Sequence, residues 1–327
     1  MGDQAHIEYT LHLADNALIL GHRNSEWTGH GPILEQDIAL SNIALDLIGQ
    51  ARYLYQYAAR LMNGGRAREA GGPHDAGVTE GGKEVTETGG LVTEMRGVVT
   101  ETGGFVTEDT LAYGRDAWDF RNCLLVELEN GDWGRTILRQ FLFSAWQYYF
   151  YARLRGSRDR ELAAIAEKSV KEVTYHLRWS SEWVVRLGDG TEESHARMER
   201  AVDQLWKFTG ELFVPAGYEM DLICSGIAVD LHAVRVPWEE KVREVFAEAG
   251  LGGGEGVREG GGSVRGGGDS VRGGAVAGRG GAGAVGGSGG AEVWMQTGGK
   301  EGRHTEHLGY LLAEMQFLQR AYPGCEW

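Results

Sequence analysis

Acidic and imidazole side chains occur in stretches of this sequence that otherwise have the apolar pattern of a buried helix face. In the segment 160–187, Glu172 falls at the edge of the apolar arc and His176 falls inside it when residues are placed at about 100° per residue. Carboxylates bridge hard metal ions and imidazole completes their coordination, so such a pair is what a metal site between helices requires. Di-iron bundles use Glu-x-x-His, however, whereas this pair is Glu-x-x-x-His. The spacing favours a hydrogen-bonded i,i+4 pair over a pair of metal ligands.

A second acidic candidate, Asp46, lies between Asn42 and Gln50 at intervals of four along one stripe of a long helical segment. The residues around it are apolar, and a helix that is apolar nearly all round is buried on most sides. Asp46 therefore either points inward as a candidate ligand or belongs to a solvated stripe, and the solvated interpretation is favoured.

The last predicted helix carries His304, His307 and Glu314 on the same face as apolar residues. These side chains are either ligands or hydrogen-bonded packing groups at a subunit interface, and the packing interpretation is favoured. The sequence offers no candidate catalytic or cofactor-binding residue, because its glycine triplets follow no predicted strand and it contains no Walker loop. The candidate metal ligands of the chain are Asp46, Glu172, His176, His307 and Glu314.

Helices must position these side chains, because nearly all of the sequence outside two glycine-rich segments has a helical pattern. Strand signals are nearly absent, and several long helices joined by short turns predict an all-α bundle. The predicted helices cover 5–21, 32–62, 108–128, 133–156, 160–187, 191–213, 237–249 and 303–321.

Glycine is concentrated in two segments, 64–107 and 250–299, in a chain with 52 glycines. Threonine recurs at every seventh residue from Thr79 in the first segment, and arginine does so from Arg258 in the second. Each unit has one apolar position and glycine costs about 1 kcal/mol per helical position, which excludes a coiled coil. We predict two flexible loops inserted into a single domain of 1–327. The RGG-like second loop leaves open a helical protein that associates with RNA.

The chain has 327 residues and a net charge of −15, which argues against duplex nucleic acid or an anionic membrane as its main partner. Its three cysteines have no C-x-x-C spacing and form no disulfide framework. The first residues lack the pattern of a signal peptide, and no apolar run approaches the roughly 20 residues of a membrane span. These features favour a cytoplasmic protein without a membrane partner, and they make a nucleic-acid partner the weaker alternative.

Four long segments of the chain resemble the C subunit of bacterial phenylacetyl-CoA 1,2-epoxidase. They are LGHRNSEWTGHGPILEQDIALSNIALDLIGQAR, DFRNCLLVELENGDW, VTYHLRWSSEWVVRLGDGTEES and GRHTEHLGYLLAEMQFLQRAYPG. The resemblance extends over essentially all of the chain outside the two glycine-rich segments. It implies a ferritin-like helical fold, in line with the bundle predicted from the helical pattern.

The resemblance also implies a place in a multicomponent monooxygenase that epoxidises the ring of phenylacetyl-CoA during aerobic phenylacetate breakdown. The di-iron centre then belongs to the homologous A subunit. A small B subunit and a reductase complete the complex, and the reductase carries FAD and an iron–sulfur cluster and takes electrons from NADPH. The C subunit is implied to be the non-catalytic structural partner of the A subunit, with a degenerate metal site.

Residues of the predicted helix 133–156 agree with that role. A di-iron bundle needs about four acids and two histidines, including two Glu-x-x-His pairs on facing helices, and we expect no such pair on the predicted bundle helices. The interior positions here are Ser144 and Gln147, which are poor ligands for oxidised iron, and Trp146 fills the space beside them. We therefore expect no metal in this chain. The competing interpretation is a catalytic di-iron oxygenase or iron-binding protein that uses the atypical ligands named above.

Overall fold

The computed structural model describes residues 2–70, 105–252, 295–323 and 325, and these form the predicted all-α, ferritin-like bundle. No β-strand occurs within the described ranges. The helices are α1 Gly2–Ser25, α2 Leu34–Ala70, α3 Glu108–Tyr113, α4 Leu124–Glu127, α5 Trp133–Leu154, α6 Arg160–Gly188, α7 Glu192–Leu205, α8 Gly217–Ser225, α9 Leu231–Glu248, α10 Glu306–Met315 and α11 Phe317–Ala321.

The bundle is built from two helical hairpins. α1 packs along α2 and α5 packs along α6, and these are the most extensive helix contacts among the described residues. The hairpins meet where α2 contacts α6, and also where Asn24 of α1 donates a hydrogen bond of 2.7 Å to Gln140 of α5. α1 approaches α2 closely at Gly21, where a Cβ would lie 3.3 Å from the carbonyl oxygen of Ala44. The space between the two hairpins is the place where a ferritin-like protein holds metal.

Side-chain caps fix where the helices of the second hairpin begin. Asp132 accepts a hydrogen bond of 2.9 Å from the backbone of Arg135 at the start of α5. Asp159 accepts one of 2.9 Å from Leu162 at the start of α6. Each cap satisfies a backbone N–H group that the helix itself leaves without an acceptor. The register of α5 and α6 is therefore set by acids that directly precede an apolar run.

Tryptophans hold the two hairpins together inside the bundle. Trp133 of α5 makes edge-to-face contacts with Trp27, Trp179 and Trp183, at ring-centroid distances of 5.1, 6.2 and 6.0 Å. Trp179 is buried, and its Nε1 donates to Gln36 of α2 at 3.0 Å. The tryptophans of α6 therefore act mainly in internal packing, although their type alone makes them candidates for a partner surface.

The predicted helix 108–128 is wrong, because the chain there forms α3, a short 3₁₀ turn at Ala117–Asp119 and then α4. The break buries Arg115, whose guanidinium donates to both carboxylate oxygens of Asp15 in α1. A continuous helix would carry Arg115 away from this partner, and an unpaired buried carboxylate is costly. Tertiary pairing therefore overrides local helix propensity in this segment.

Helix boundaries also differ from the sequence pattern elsewhere. α1 and α9 begin earlier than predicted, at Gly2 and Leu231, and α1 continues to Ser25, whereas the predicted helix 191–213 ends as α7 at Leu205. α2 continues to Ala70, beyond the predicted end at Met62. The short helix α8, Gly217–Ser225, is not predicted at all. The last predicted helix begins only at Glu306, and it is divided into α10 and α11 at Gln316.

The two glycine-rich segments, with the RGG-like repeats of the second, lie mostly outside the described residues. Asn63, near the start of the first segment, is hydrogen-bonded to Val106, near its end. Its side chain donates to the carbonyl of Val106 at 2.9 Å and accepts from the Val106 N–H at 3.1 Å. Near the end of the second segment, the backbone N–H of Gln296 donates to the carbonyl of Lys207 at 2.7 Å. The flexibility of both segments and their place within one domain stay predictions. Val106 and Gln296 fall inside the predicted segments 64–107 and 250–299, yet both are hydrogen-bonded to the bundle.

Candidate functional site

The acid and histidine that the sequence singled out most clearly meet where α2 contacts α6. His176 Nε2 donates to Asp46 Oδ2 at 3.0 Å. The His176 side chain is fully buried, whereas 38% of the Asp46 side chain is exposed. The other ring nitrogen, His176 Nδ1, is buried without a hydrogen-bond partner. Asp46 therefore combines features of both interpretations of its stripe. It bonds His176 across the contact between α2 and α6, and part of its side chain is exposed to solvent.

Glu172 lies one helical turn before His176 and is bonded to α2 in the same way. Gln50 Nε2 donates to Glu172 Oε2 at 2.9 Å, and Tyr151 of α5 donates to Gln50 Oε1 at 3.5 Å. Because α2 and α6 present matching i,i+4 positions, each α6 side chain pairs with α2. The favoured expectation of an internal hydrogen bond between Glu172 and His176 is therefore replaced by two parallel bonds across the helix contact.

α5 contributes amide, hydroxyl and phenol groups to the interior between the hairpins. Gln140 donates to Ser144 at 2.8 Å, and Gln147 Oε1 is buried without a hydrogen-bond partner. Burial raises the pKa of Tyr151 well above its usual value, so the phenol stays protonated and acts as a donor. α5 thus places neutral groups where a metal-binding bundle has carboxylates.

The residues present do not fit a di-iron centre. Such a centre takes about four carboxylates and two histidines from facing helices. Here the candidates Asp46, Glu172 and His176 lie at the α2–α6 contact, and two of them bond directly to each other. No cluster of three or more His, Cys, Asp or Glu side chains with the arrangement of a metal site occurs in the part of the chain that the structure describes. We derive no chemistry through iron at this position.

His307 and Glu314 lie on α10, which packs against α4 and the 3₁₀ turn at Ala117–Asp119. Glu314 is exposed, and His307 is half-buried with its backbone carbonyl accepting from Arg23 at 3.1 Å. Neither residue has a hydrogen bond or ion pair to Asp46 or His176 within the described ranges. The structure therefore does not bring the five candidate ligands together in one site.

His304 takes part in a separate buried cluster around Glu127, which the sequence did not indicate. His304 donates from Nδ1 to Glu127 Oε2 at 2.7 Å and from Nε2 to the carbonyl of Phe120 at 3.0 Å. Thr305 donates to Glu127 Oε1 through its backbone N–H at 2.6 Å and its hydroxyl at 2.8 Å. Glu127 thus binds both the histidine and the start of α10, so His304 is a packing group within the chain, whereas its place at a subunit interface stays a prediction.

A Glu-x-x-His spacing does occur at Glu192 and His195, in the first turn of α7, and it has a structural explanation. His195 Nδ1 donates to the carbonyl of Gly188 at 2.6 Å, which satisfies the end of α6. Glu192 is exposed in the first turn, where the helix dipole favours an acid. The spacing alone is therefore not evidence for a metal ligand pair.

Two further buried ion pairs lie in the polar interior. Asp15 accepts from Arg115, from the Tyr55 hydroxyl at 2.5 Å and from the backbone N–H of Arg121 at 2.7 Å. Lys300 Nζ donates to Glu219 Oε2 at 2.9 Å. Both pairs join segments that are distant in sequence, so no local spacing could have shown them. In both pairs each charged group has an oppositely charged partner, and removing either partner would leave a costly unpaired buried charge.

Comparison with known proteins gives this arrangement its context. The family model described as "Phenylacetic acid catabolic protein" matches residues 1–71, 91–262 and 286–327. The chain belongs to this family. A curated relative, the C subunit of the 1,2-phenylacetyl-CoA epoxidase of Escherichia coli (strain K12), is 40% identical over 319 residues, which cover 98% of each chain. The resemblance drawn from the four segments is thereby confirmed, and the unmatched residues 72–90 and 263–285 lie within the two glycine-rich segments.

Among the residues that the structure describes, no helix is long and apolar enough to cross a membrane.

Proposed function

We propose that this chain is the non-catalytic C subunit of a phenylacetyl-CoA epoxidase and that it braces the homologous catalytic A subunit. The 40% identity to an E. coli protein named as that subunit supports the assignment to the complex. The observation that carries the non-catalytic role is the pairing of ligand-type side chains with each other. His176 bonds Asp46, and Glu172 bonds Gln50, where α2 and α6 meet.

The remaining components of the reaction then belong to other chains. The A subunit supplies the di-iron centre that activates oxygen, and a reductase with FAD and an iron–sulfur cluster delivers electrons from NADPH. The assembly also includes a small B subunit, and it works in the cytoplasm on phenylacetyl-CoA. In this scheme our chain contributes a rigid surface, and its buried polar pairs serve to fix the shape of that surface.

The iron content of the purified single chain tests the non-catalytic role. The chain and the A subunit are expressed separately with iron supplementation, purified in the same way and analysed by mass spectrometry of the metal. We expect the A subunit to hold about two iron atoms per chain, as a di-iron bundle does, and our chain to hold close to none. A content of about two iron atoms in our chain, or oxygen-dependent turnover by it alone, would support the catalytic alternative.

A further inference from the structure

The C-terminal helices present apolar side chains to solvent. Tyr310 of α10 is 73% exposed, and Phe317 and Leu318 of α11 are 63% and 48% exposed. α11 buries none of its residues. A surface helix of a globular protein normally directs its apolar face to the core. α10 follows this rule in burying Leu308, Leu311 and Leu312, although it leaves Tyr310 exposed, whereas α11 has the reverse arrangement.

Polar side chains of the same segment face the protein. Gln316 is only 3% exposed, and its amide donates to the carbonyls of Arg115 at 2.9 Å and Ala112 at 3.3 Å. Arg320 donates to the carbonyl of Arg115 at 2.9 Å and pairs with Asp116 at 2.7 Å. The helix is therefore held by directional hydrogen bonds in an orientation that leaves its aromatic residues outward. This orientation leaves apolar surface in contact with water, which is unfavourable in free energy.

Trp118 extends this apolar surface from the neighbouring 3₁₀ turn, with 74% of its area exposed. Next to it lies a cavity of about 500 Å³, whose lining includes small residues of α10 such as Gly309. A Cβ at Gly309 would meet no atom within 4 Å, so the helix backbone is open to an approaching group. Residues that line the cavity include Ala117, Gly309, Leu312, Ala313 and the Asp116–Arg320 ion pair.

The size of this surface fits the centre of a stable interface. Aromatic side chains bury about 150–250 Å² each. Three aromatic residues and a leucine at the exposures given above therefore offer on the order of 400–500 Å² of apolar area. Monomers rarely expose a contiguous apolar patch larger than a few hundred Å². With a polar rim, the patch approaches the roughly 800 Å² per partner of a standard interface.

We propose that Trp118, Tyr310, Phe317 and Leu318 form the surface on which the homologous catalytic A subunit docks an apolar helix face. This inference rests on the proposed function, which supplies the partner. The small side chains of Gly309 and Ala313, one helical turn apart, allow a helix to approach closely while its side chains enter the cavity. A second copy of this chain is the less favourable occupant, because each copy carries a net charge of −15 and like charge opposes association.

Two helical glycines with open surroundings provide a matched test. Gly309→Trp places a bulky side chain at the cavity next to the proposed surface, and the Cβ at this position would meet no atom of the described chain within 4 Å. Gly49→Trp is the control, because Gly49 is equally open and lies on α2 beside a second exposed apolar residue, Leu45. Each full-length variant is titrated with the purified A subunit in a calorimeter, after circular dichroism has shown an unchanged melting temperature. We expect Gly309→Trp to weaken binding at least about tenfold and Gly49→Trp to bind like the unsubstituted chain.

Other results would overturn the proposal in distinguishable ways. Unchanged binding by Gly309→Trp would refute this placement while the proposed function stands. Weakened binding by Gly49→Trp alone would assign the interface to α2 instead. If the unsubstituted chain dimerises alone and Gly309→Trp makes it monomeric, the occupant is a second copy. If the unsubstituted chain does not bind the A subunit at all, the proposed function fails, and this inference fails with it.

Discussion

His304 is placed so that its protonated form stabilises the fold. Burial alone lowers the pKa of His304, but the hydrogen bond and charge of Glu127 outweigh burial and raise the pKa above the ordinary value of 6.5. Both ring nitrogens face acceptors, the Glu127 carboxylate and the Phe120 carbonyl, which agrees with a doubly protonated ring. A group whose folded pKa is raised contributes stability that is complete below its unfolded pKa and is lost as pH rises through its folded pKa.

We therefore expect the free energy of unfolding of His304→Gln to fall less steeply above about pH 6.5 than that of the unsubstituted chain. The measurement is urea unfolding of both chains at several pH values from 6 to 9, with the difference in unfolding free energy plotted against pH. Burial lowers the pKa of His12 and His22 to about 4, so their effects lie mainly between about pH 4 and 6.5 and are the same in both chains, which removes them from the difference. Parallel curves for the two chains would contradict a stabilising imidazolium at His304.

At the same scale, the sequence shows which residues carry chemistry but not which of them meet. His176 and Glu172 are recognisable because they interrupt the apolar arc of one helix. That Asp46 and Gln50 are their partners could not be predicted, because the pairing depends on the relative register of α2 and α6. This register is set by packing across the whole contact. Glu127 and Lys300 carry no local signal, because their partners are distant in sequence.

Among the elements, α6 and α9 approach each other so closely that one position must be glycine. A Cβ at Gly188, the last residue of α6, would lie 2.5 Å from the carbonyl oxygen of Ala249 and 2.7 Å from its side chain. Contacts that short require one of the two helix ends to move. Gly188 therefore acts as the point of contact between the second hairpin and the helix that covers it.

Gly188→Ala should lower the free energy of unfolding by about 1–3 kcal/mol, the usual range for an overpacked site. Gly309→Ala is the matched control, because it also replaces a helical glycine but has open space around it. It should raise stability by up to about 1 kcal/mol through helix propensity alone. Thermal and urea unfolding of the two variants measure both effects, and equal changes in the same direction would argue against a steric role for Gly188.

Elements were predictable where local pattern and tertiary structure agree. α6 was expected over 160–187 and is observed as Arg160–Gly188, because a strongly amphipathic pattern follows an aspartate cap. The segment 108–128 was not predictable, since its break serves a buried ion pair with Asp15. α8 is short and carries little periodic signal, so only its packing against α1 defines it.

On the scale of the whole molecule, the glycine-rich segments should contribute little to the stability of the bundle. Residues 72–90 match no part of the family model, and the chain on both sides is joined by Asn63 and Val106. Loop-closure entropy changes by only about 0.6 kcal/mol for each doubling of loop length. Deleting 72–90 should therefore change the free energy of unfolding by less than about 1 kcal/mol, measured by urea unfolding.

Asn63→Ala in the full-length chain is the comparison for that deletion. It removes two hydrogen bonds to Val106, each of which contributes about 0.5–1.5 kcal/mol. It should therefore destabilise the chain more than the loss of all the residues of 72–90. A deletion that proves more damaging than Asn63→Ala would show that the repeats take part in the fold.

The two bonds between Asn63 and Val106 also bear on how this sequence changes over generations. Because the side chain of one asparagine closes the connection, the repeat beyond it can gain or lose a seven-residue unit at a cost of about 0.1–0.2 kcal/mol. A whole unit keeps the reading frame, and tandem repeats in a gene are prone to such gains and losses. The length of this segment is thus nearly neutral to selection on stability, so even close relatives can be expected to differ in repeat number while the helical frame is retained.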